Sequence, residues 1–382
     1  MRAHFHAAAS AAILILQAFA PGQAAAAAQT KAPTAPRTAV KVETIANGIA
    51  HPWALQFLPD GRMLVTERPG RLRIVSRDGT LSPIIAGVPK VHAAGQGGLL
   101  DVALTPDFAT SQEIFFSFAE PRDSGNGTSV ASARLALTSN GGSLSNVRVI
   151  FRQQPSFATN LHFGSRIVFA TDGTFYLTVG DRYSQMKEAQ NPANHIGKVL
   201  RLNRDGTPFK DNPRLPGWDP AIWSIGHRNV QGAARHPDTG ELWTAEHGAR
   251  GGDEVNVVRK GLNFGWPIIT YGRDYSGAAI GEGTTKAGLE QPVYYWDPSI
   301  APSGAAFYTG DLFPAWKGNL LVGGLAARQL SRLVLEGEKI VAEERLLVDL
   351  GARIRDVRVG PDGAVWILTD QTNGQLLRLT PG

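Results

Sequence analysis

The feature that most constrains this 382-residue chain is a turn that recurs six times. Each instance joins two apolar runs through a turn carrying an aspartate. The segments are LQFLPDGRMLVTE about Asp60, VALTPDFATSQEIFFSF about Asp107, IVFATDGTFYLTVGD about Asp172, GAARHPDTGELWTAE about Asp238, AFYTGDLFPAWKGNLLVGG about Asp311 and VRVGPDGAVWILTD about Asp362. Successive turns lie 47, 65, 66, 73 and 51 residues apart. Asp-Gly between apolar runs is a strong hairpin signal. A lone hairpin cannot bury both faces, so a repeated one must stack or close on itself. One hairpin in each unit of this length predicts an all-β fold, a six-bladed β-propeller of four-stranded antiparallel blades over residues 40–382. A β-sandwich does not account for six similar turns, and no long amphipathic helix is visible.

Composition narrows the chemistry. Hydrophobic residues make up 43% of the chain, enough for a large core. The chain has 43 glycines and 24 prolines, as many short strands and turns require. It has no cysteine, which excludes disulfides, thiolate metal sites, iron–sulfur clusters and thiol catalysis. Any metal must be held by His, carboxylate or carbonyl groups. The net charge of +5 comes from scattered residues with no basic run, so nucleic acid is not an expected partner. At the N-terminus, Arg2 precedes an apolar stretch from Ala7 to Ala20, then Pro21-Gly22 and the small residues Ala24–Ala28. This reads as a secretory signal peptide over residues 1–26, cleaved between Ala24 and Ala28, followed by a flexible linker over 27–39. No later segment is apolar enough to span a membrane, so the mature protein is expected in the periplasm or secreted.

Four segments are more polar than turns require. In the third repeat, His162 and Asp181 flank the Asp172 hairpin at nearly equal distances. With His162 starting one strand and Asp181 ending the next, the two meet at one rim, where a carboxylate orients a histidine as a base. A surface His–Asp pair has the same spacing. The run Gly226-His227-Arg228-Asn229-Val230-Gln231-Gly232 is dense in donors and suits an anionic ligand. The stretch AEHGARGGDE over residues 245–254, with Asn263-Phe264-Gly265-Trp266-Pro267, places glycine-rich backbone beside carboxylates. Such a set suits a hard cation, with Ca²⁺ the natural choice, although the spacing is not that of an EF-hand. Finally, Arg353 and Arg355 stand two apart and project to one strand face. They require an anion between them, either Asp356 or Asp349 or a shared polyanionic ligand.

Together these motifs resemble the soluble PQQ-dependent glucose and aldose sugar dehydrogenases, the glucose/sorbosone dehydrogenase family. The resemblance covers roughly residues 40–380 and rests on GQGGLLDVALTPDF, the His162 segment, GHRNVQG, HGARGGDEVNVVRKGLNFGWP, DPSIAPSG and RIRDVRVGPDG. It implies a six-bladed propeller, in agreement with the repeat count. It implies pyrroloquinoline quinone (PQQ), which carries three carboxylates, and Ca²⁺ as cofactors. Arg353 and Arg355 would bind cofactor carboxylates. Gln96, Arg228, Asn229, Gln231 and Ser299 would line the same pocket, with Tyr275 as a wall. The carbonyls of Gly248 and Ala249 would hold Ca²⁺ beside the quinone, and Glu254 with the carbonyl of Phe264 would hold a second, structural Ca²⁺. His162 would take the anomeric hydroxyl proton as hydride passes to the quinone, oriented by Asp181, and Arg228 would stabilise negative charge. The partners implied are an aldose and an external electron acceptor, with the protein a monomer or weak homodimer.

One position departs from the pattern. Some family members place a lysine where this chain has Ala326, whose backbone would still line the pocket. Arg328 falls on the same side if the strand register is regular. Two other functions fit parts of the pattern. A Ca²⁺-dependent lactonase needs no paired Arg353 and Arg355. A non-catalytic sugar- or protein-binding propeller needs no His162–Asp181 pair.

Overall fold

The computed structural model describes residues 31–382. The expected signal peptide and the first part of the linker lie outside the described residues. The described chain is almost entirely strand and turn, with one four-residue helix at Phe108–Ser111 and three short 3₁₀ turns. No helix among the described residues is long and apolar enough to cross a membrane.

Six antiparallel sheets succeed one another along the chain. Their innermost strands are Pro52–Phe57, Leu99–Leu104, Gly164–Phe169, Val230–Arg235, Pro302–Phe307 and Ile354–Val359. Each packs against the next, and the sixth packs against the first, which closes the ring of a propeller. Blade six is completed by the chain's N-terminal strand: Val40–Ile49 pairs with Gly374–Pro381, so the two ends of the fold lock one sheet. In five blades the second strand is buried at every position, for example Met63–Glu67, Phe175–Val179 and Val365–Thr369. Both faces of each sheet are covered by neighbouring blades, which is why these strands read as continuous apolar runs rather than alternating ones.

All six aspartate turns fall between the first and second strands of successive blades. Where glycine follows the aspartate, the side chain accepts the N–H two residues on: Asp60 from Arg62 at 3.0 Å, Asp172 from Thr174 at 3.0 Å and Asp362 from Ala364 at 3.2 Å. Gly173 and Gly363 take φ of +82° and +77°, open to glycine at no steric cost. Asp107, Asp238 and Asp311 lack that glycine neighbour and turn differently; Asp107 leads into the short helix.

Two expectations change. Blade one is a three-stranded sheet, Pro52–Phe57, Met63–Glu67 and Arg71–Val75. Its fourth position is held by single bridges from Leu81 and Ile85, because Pro83 between them has no N–H to continue a ladder. The end of the expected flexible linker is docked. Ala32 N–H donates to the Tyr294 hydroxyl at 3.3 Å, Thr34 bridges Glu343, and the Thr38 hydroxyl donates to Glu344 at 3.0 Å.

One buried ionic node ties the innermost strands together. Arg166 of blade three donates Nε to the Gln231 carbonyl of blade four at 2.6 Å and NH1 to Asp101 of blade two at 3.1 Å. Its NH2 lies 2.9 Å from Asp356 of blade six, and its guanidinium stacks 4.2 Å from the Trp53 ring of blade one. Asp356 also accepts Leu55 N–H at 3.0 Å. Removing one partner from such a buried set leaves uncompensated charge. Arg166→Met is therefore expected to cost about 3–5 kcal/mol, read as a lower urea midpoint. Adding Asp101→Asn and Asp356→Asn should recover part of that loss.

Candidate active site

An antiparallel blade sends its connections to alternate faces. Segments entering an innermost strand, and those joining second to third strands, emerge together on the face opposite the aspartate turns. That face receives Gln96, His162, Arg228, Asn229, Ser299 and Arg353 at strand entries, and Asp181, Gly248, Ala249 and Ala326 after second strands. The insertion Arg259–Val293 starts on the other face. Asn263 then bridges Ile225 in parallel on blade three's outer strand, and this carries Phe264 and Trp266 up to the same mouth.

His162 and Asp181 meet as their spacing predicted: Nδ1 lies 2.6 Å from Asp181 Oδ1. The carboxylate holds the Nδ1 proton and leaves Nε2 as the basic nitrogen. His162 does not begin the strand, however. The strand starts at Gly164, and His162 takes φ +52°, its N–H donating to Gln96 Oε1 at 2.9 Å. Arg182 and Tyr183, at φ +57° and +61°, are left-handed too; side-chain-bearing residues held there cluster at working sites. Asp181 is fully buried and also accepts Tyr183 N–H and Trp266 Nε1, both at 2.8 Å. Burial lowers the His162 pKa, Asp181 opposes that shift, and the guanidiniums of Arg228 and Arg182 add to it.

Arg228 is buried, donates NH1 to the carbonyls of His247 and Gly248, and lies 5.2 Å from the Trp266 ring centre. Asn229 Oδ1 accepts Gly164 N–H at 3.1 Å. Gln231 Oε1 accepts Arg355 NH1 at 2.7 Å. Ser299 donates to Asp253 at 2.6 Å, a carboxylate that also accepts Gly248 N–H at 2.7 Å. Ala326 is exposed, its N–H bonded to Ile300 O at 2.9 Å. Tyr275 sits on the tip of the Arg273–Ala279 hairpin, 58% exposed and apart from the buried cluster.

Arg353 and Arg355 do converge, but on neither aspartate expected of them. Asp356 is committed to Arg166 and Arg358. Their partner is Asp370, 2.6 Å from Arg355 and 3.9 Å from Arg353. The register slips between Ile354 and Asp356, so plain strand alternation does not describe them. Arg328 likewise sits in a turn at φ +53°, exposed, where no strand register applies.

The candidate cation loop is tightly packed, and its Gly248 carbonyl already accepts from Arg228. Gly248 packs so closely that an added Cβ would lie 2.3 Å from the carbonyl oxygens of Gly251 and Gly252. A small cavity is lined by Glu246, Glu254, Phe264 and Thr270, and also by the Arg228 guanidinium and His247. Burial, reinforced by the Glu246 charge, pushes the Glu254 carboxyl up to about 8. Two carboxylates facing one cavity suit a hard cation, and the Arg228 guanidinium on the same lining is a competing positive charge. Among the described residues no three His, Asp or Glu side chains cluster as ligands, so backbone carbonyls would have to complete any such site.

Five buried donors on this side of the protein have no acceptor, Nε of Arg68, Arg182, Arg228 and Arg355 and Asn229 Nδ2, and His247 Nε2 is unpartnered beside them. Buried polar groups are nearly always paired, so this concentration marks a place for an anionic, acceptor-rich ligand. Glu246 and His247 stand in the glycine-rich stretch that the sequence marked, with no role assigned to them there; Arg68 and Asp370 were not singled out in the sequence. Each stands inside an ordinary strand end, with only its charge as a signal.

Residues 49–378 match the family model described as Glucose / Sorbosone dehydrogenase. The chain belongs to the glucose/sorbosone dehydrogenase family. Membership makes it an oxidoreductase acting on sugars. It is 45% identical to the aldose sugar dehydrogenase YliI of Escherichia coli over 91% of this chain and 94% of that one. The crystal structure of the soluble aldose sugar dehydrogenase from E. coli in the apo-form aligns with a TM-score of 0.86 at 44% identity, covering 90% of this chain and 100% of that one. The PQQ-bound form of an aldose sugar dehydrogenase from Streptomyces coelicolor aligns with a TM-score of 0.75 at 28% identity, covering 90% of this chain and 100% of that one.

For this family member the His162–Asp181 geometry sets a pH signature. A histidine pKa lowered by burial keeps the neutral base available below pH 6.5, the ordinary value. Asp181→Asn removes the main opposing influence and loosens the ring. Turnover is expected to fall by about 10²–10⁴-fold, while the acidic limb of the pH–rate profile moves to lower pH. An unmoved limb would exclude His162 as the titrating base.

Proposed function

We propose that the protein is a periplasmic or secreted PQQ- and Ca²⁺-dependent aldose dehydrogenase. It would oxidise aldoses at the anomeric carbon to lactones and pass electrons to an external acceptor. The observation that carries this reading is the group of unpaired buried donors on the same side of the propeller as the His162–Asp181 pair. The PQQ-bound relative from S. coelicolor supports it.

Arg353 and Arg355 would hold cofactor carboxylates, with Gln231 Oε1 accepting from Arg355 NH1. Asn229 Nδ2 and Arg228 Nε, buried without an acceptor, would donate to the same ligand. Gln96 and Ser299 would line the pocket, as would the backbone at Ala326, with Tyr275 as a wall residue. The carbonyls of Gly248 and Ala249 would hold one Ca²⁺, the first in competition with Arg228, whose NH1 it already accepts. Glu254 and the Phe264 carbonyl would hold the second. When bound, the quinone supplies a two-electron acceptor and Ca²⁺ a Lewis acid beside it.

The protein's own part is to position and to move a proton. His162 Nε2 accepts the proton of the anomeric hydroxyl. Asp181 keeps the ring in the required tautomer and stabilises the imidazolium that results. Arg228 sets a buried positive charge where negative charge develops in the site.

The test uses mature protein stripped of metal, then given PQQ with Ca²⁺, an aldose and an artificial electron acceptor. Dye reduction should require both additions. Lactone hydrolysis without PQQ would establish the lactonase reading instead. His162→Ala should abolish turnover and leave PQQ binding in place. Arg355→Ala should weaken PQQ binding by about tenfold or more.

A further inference from the structure

Arg68 follows the second strand of blade one and reaches the same mouth as Arg353 and Arg355. Its NH1 donates to the Gly95 carbonyl at 2.6 Å, on the loop whose next residue, Gln96, holds the His162 N–H. Its Nε is buried without an acceptor, as is that of Arg355. Asp370 lies within electrostatic reach of all three guanidiniums, and His51 Nδ1 is 3.3 Å from the same carboxylate. Burial lowers the Arg68 pKa, Asp370 opposes this, and the like charges of Arg355 and Arg353 add to it. One carboxylate thus faces three guanidiniums, Arg355 buried, Arg68 partly buried and Arg353 exposed. Like charges gathered out of water are costly unless a counter-charge joins them, and a guanidinium fork suits a carboxylate.

We propose that Arg68 is a third carboxylate-binding guanidinium of the cofactor site, contacting the ligand with the edge that has no partner in the protein. This rests on the reading of the site given above and adds a residue to it. Because the same side chain holds Gly95, cofactor binding and the placement of Gln96 would be secured by one residue.

The experiment titrates apo protein with PQQ in excess Ca²⁺, followed by calorimetry, for the wild type, Arg68→Gln and Arg68→Lys. Thermal melts of the ligand-free proteins run alongside. The Kd should rise by about 10- to 100-fold in Arg68→Gln and by clearly less in Arg68→Lys, which keeps the charge. The melting temperature of the ligand-free Arg68→Gln protein should be unchanged or higher, since a like charge has left the cluster. Wild-type affinity in Arg68→Gln overturns the proposal. So does an equal loss in both variants with a lowered ligand-free melting temperature, which marks a role confined to holding the loop. If the wild type itself binds no PQQ, the cofactor reading fails together with this one, and that arm alone identifies the cause.

Discussion

The propeller depends on what fills its axis. Sheets packed face to face around a ring leave the innermost strands facing one another across a narrow channel, and here that channel holds ions rather than apolar side chains. Arg166 reaches blades two, four and six with its three nitrogens and blade one with its flat face. Blade five has no charge in the set. It approaches through Gly304, where a Cβ would stand 2.2 Å from Asp356 Oδ1, and through the Ser303 hydroxyl, which donates to the Ile354 carbonyl at 2.7 Å. Apolar packing between blades is non-directional and tolerates small rotations. A guanidinium hydrogen-bonded to two partners and ion-paired with a third does not. The node therefore fixes the mutual register of the innermost strands, whose entries carry the site.

That register matters because the site has no single owner. The His162–Asp181 pair comes from blade three, Arg228 from the entry to blade four, Arg68 from blade one, Arg353 and Arg355 from blade six, and the candidate cation loop from blade four. Gln231 joins the two levels. Its carbonyl is held by Arg166 in the axis, while its side chain holds Arg355 in the mouth. Trp266 joins the insertion to the reacting centre, with its indole on Asp181 and its ring against Arg228. Displacing one blade would move several of these groups at once.

Much of this was legible in the chain. The six aspartate turns marked the six blades, since a hairpin turn is local chemistry written in a few residues. His162 and Asp181 could be paired because a hairpin's two arms are equal in length. The absence of cysteine confined any metal to oxygen and nitrogen donors. Other features were not legible. Pro83 removes a strand that the repeat implied, and the stretch before Val40 docks on blade edges instead of staying free. Asp370 lay unsuspected because it is distant in sequence from Asp356 and Asp349, the aspartates closest to its arginines.

The sequence by itself determined the number of blades, the hairpin that carries the histidine and its carboxylate, and the oxygen-rich loop. Each depends on neighbours within about twenty residues, where backbone geometry permits few alternatives. Only the tertiary structure decided which charges are neutralised and which are left over. Asp356 is consumed in the axis and Asp370 serves the mouth, while Arg68, which no motif marked, stands beside Arg353 and Arg355. Electrostatic balance is set by distances between blades, and those exist only once the ring has closed.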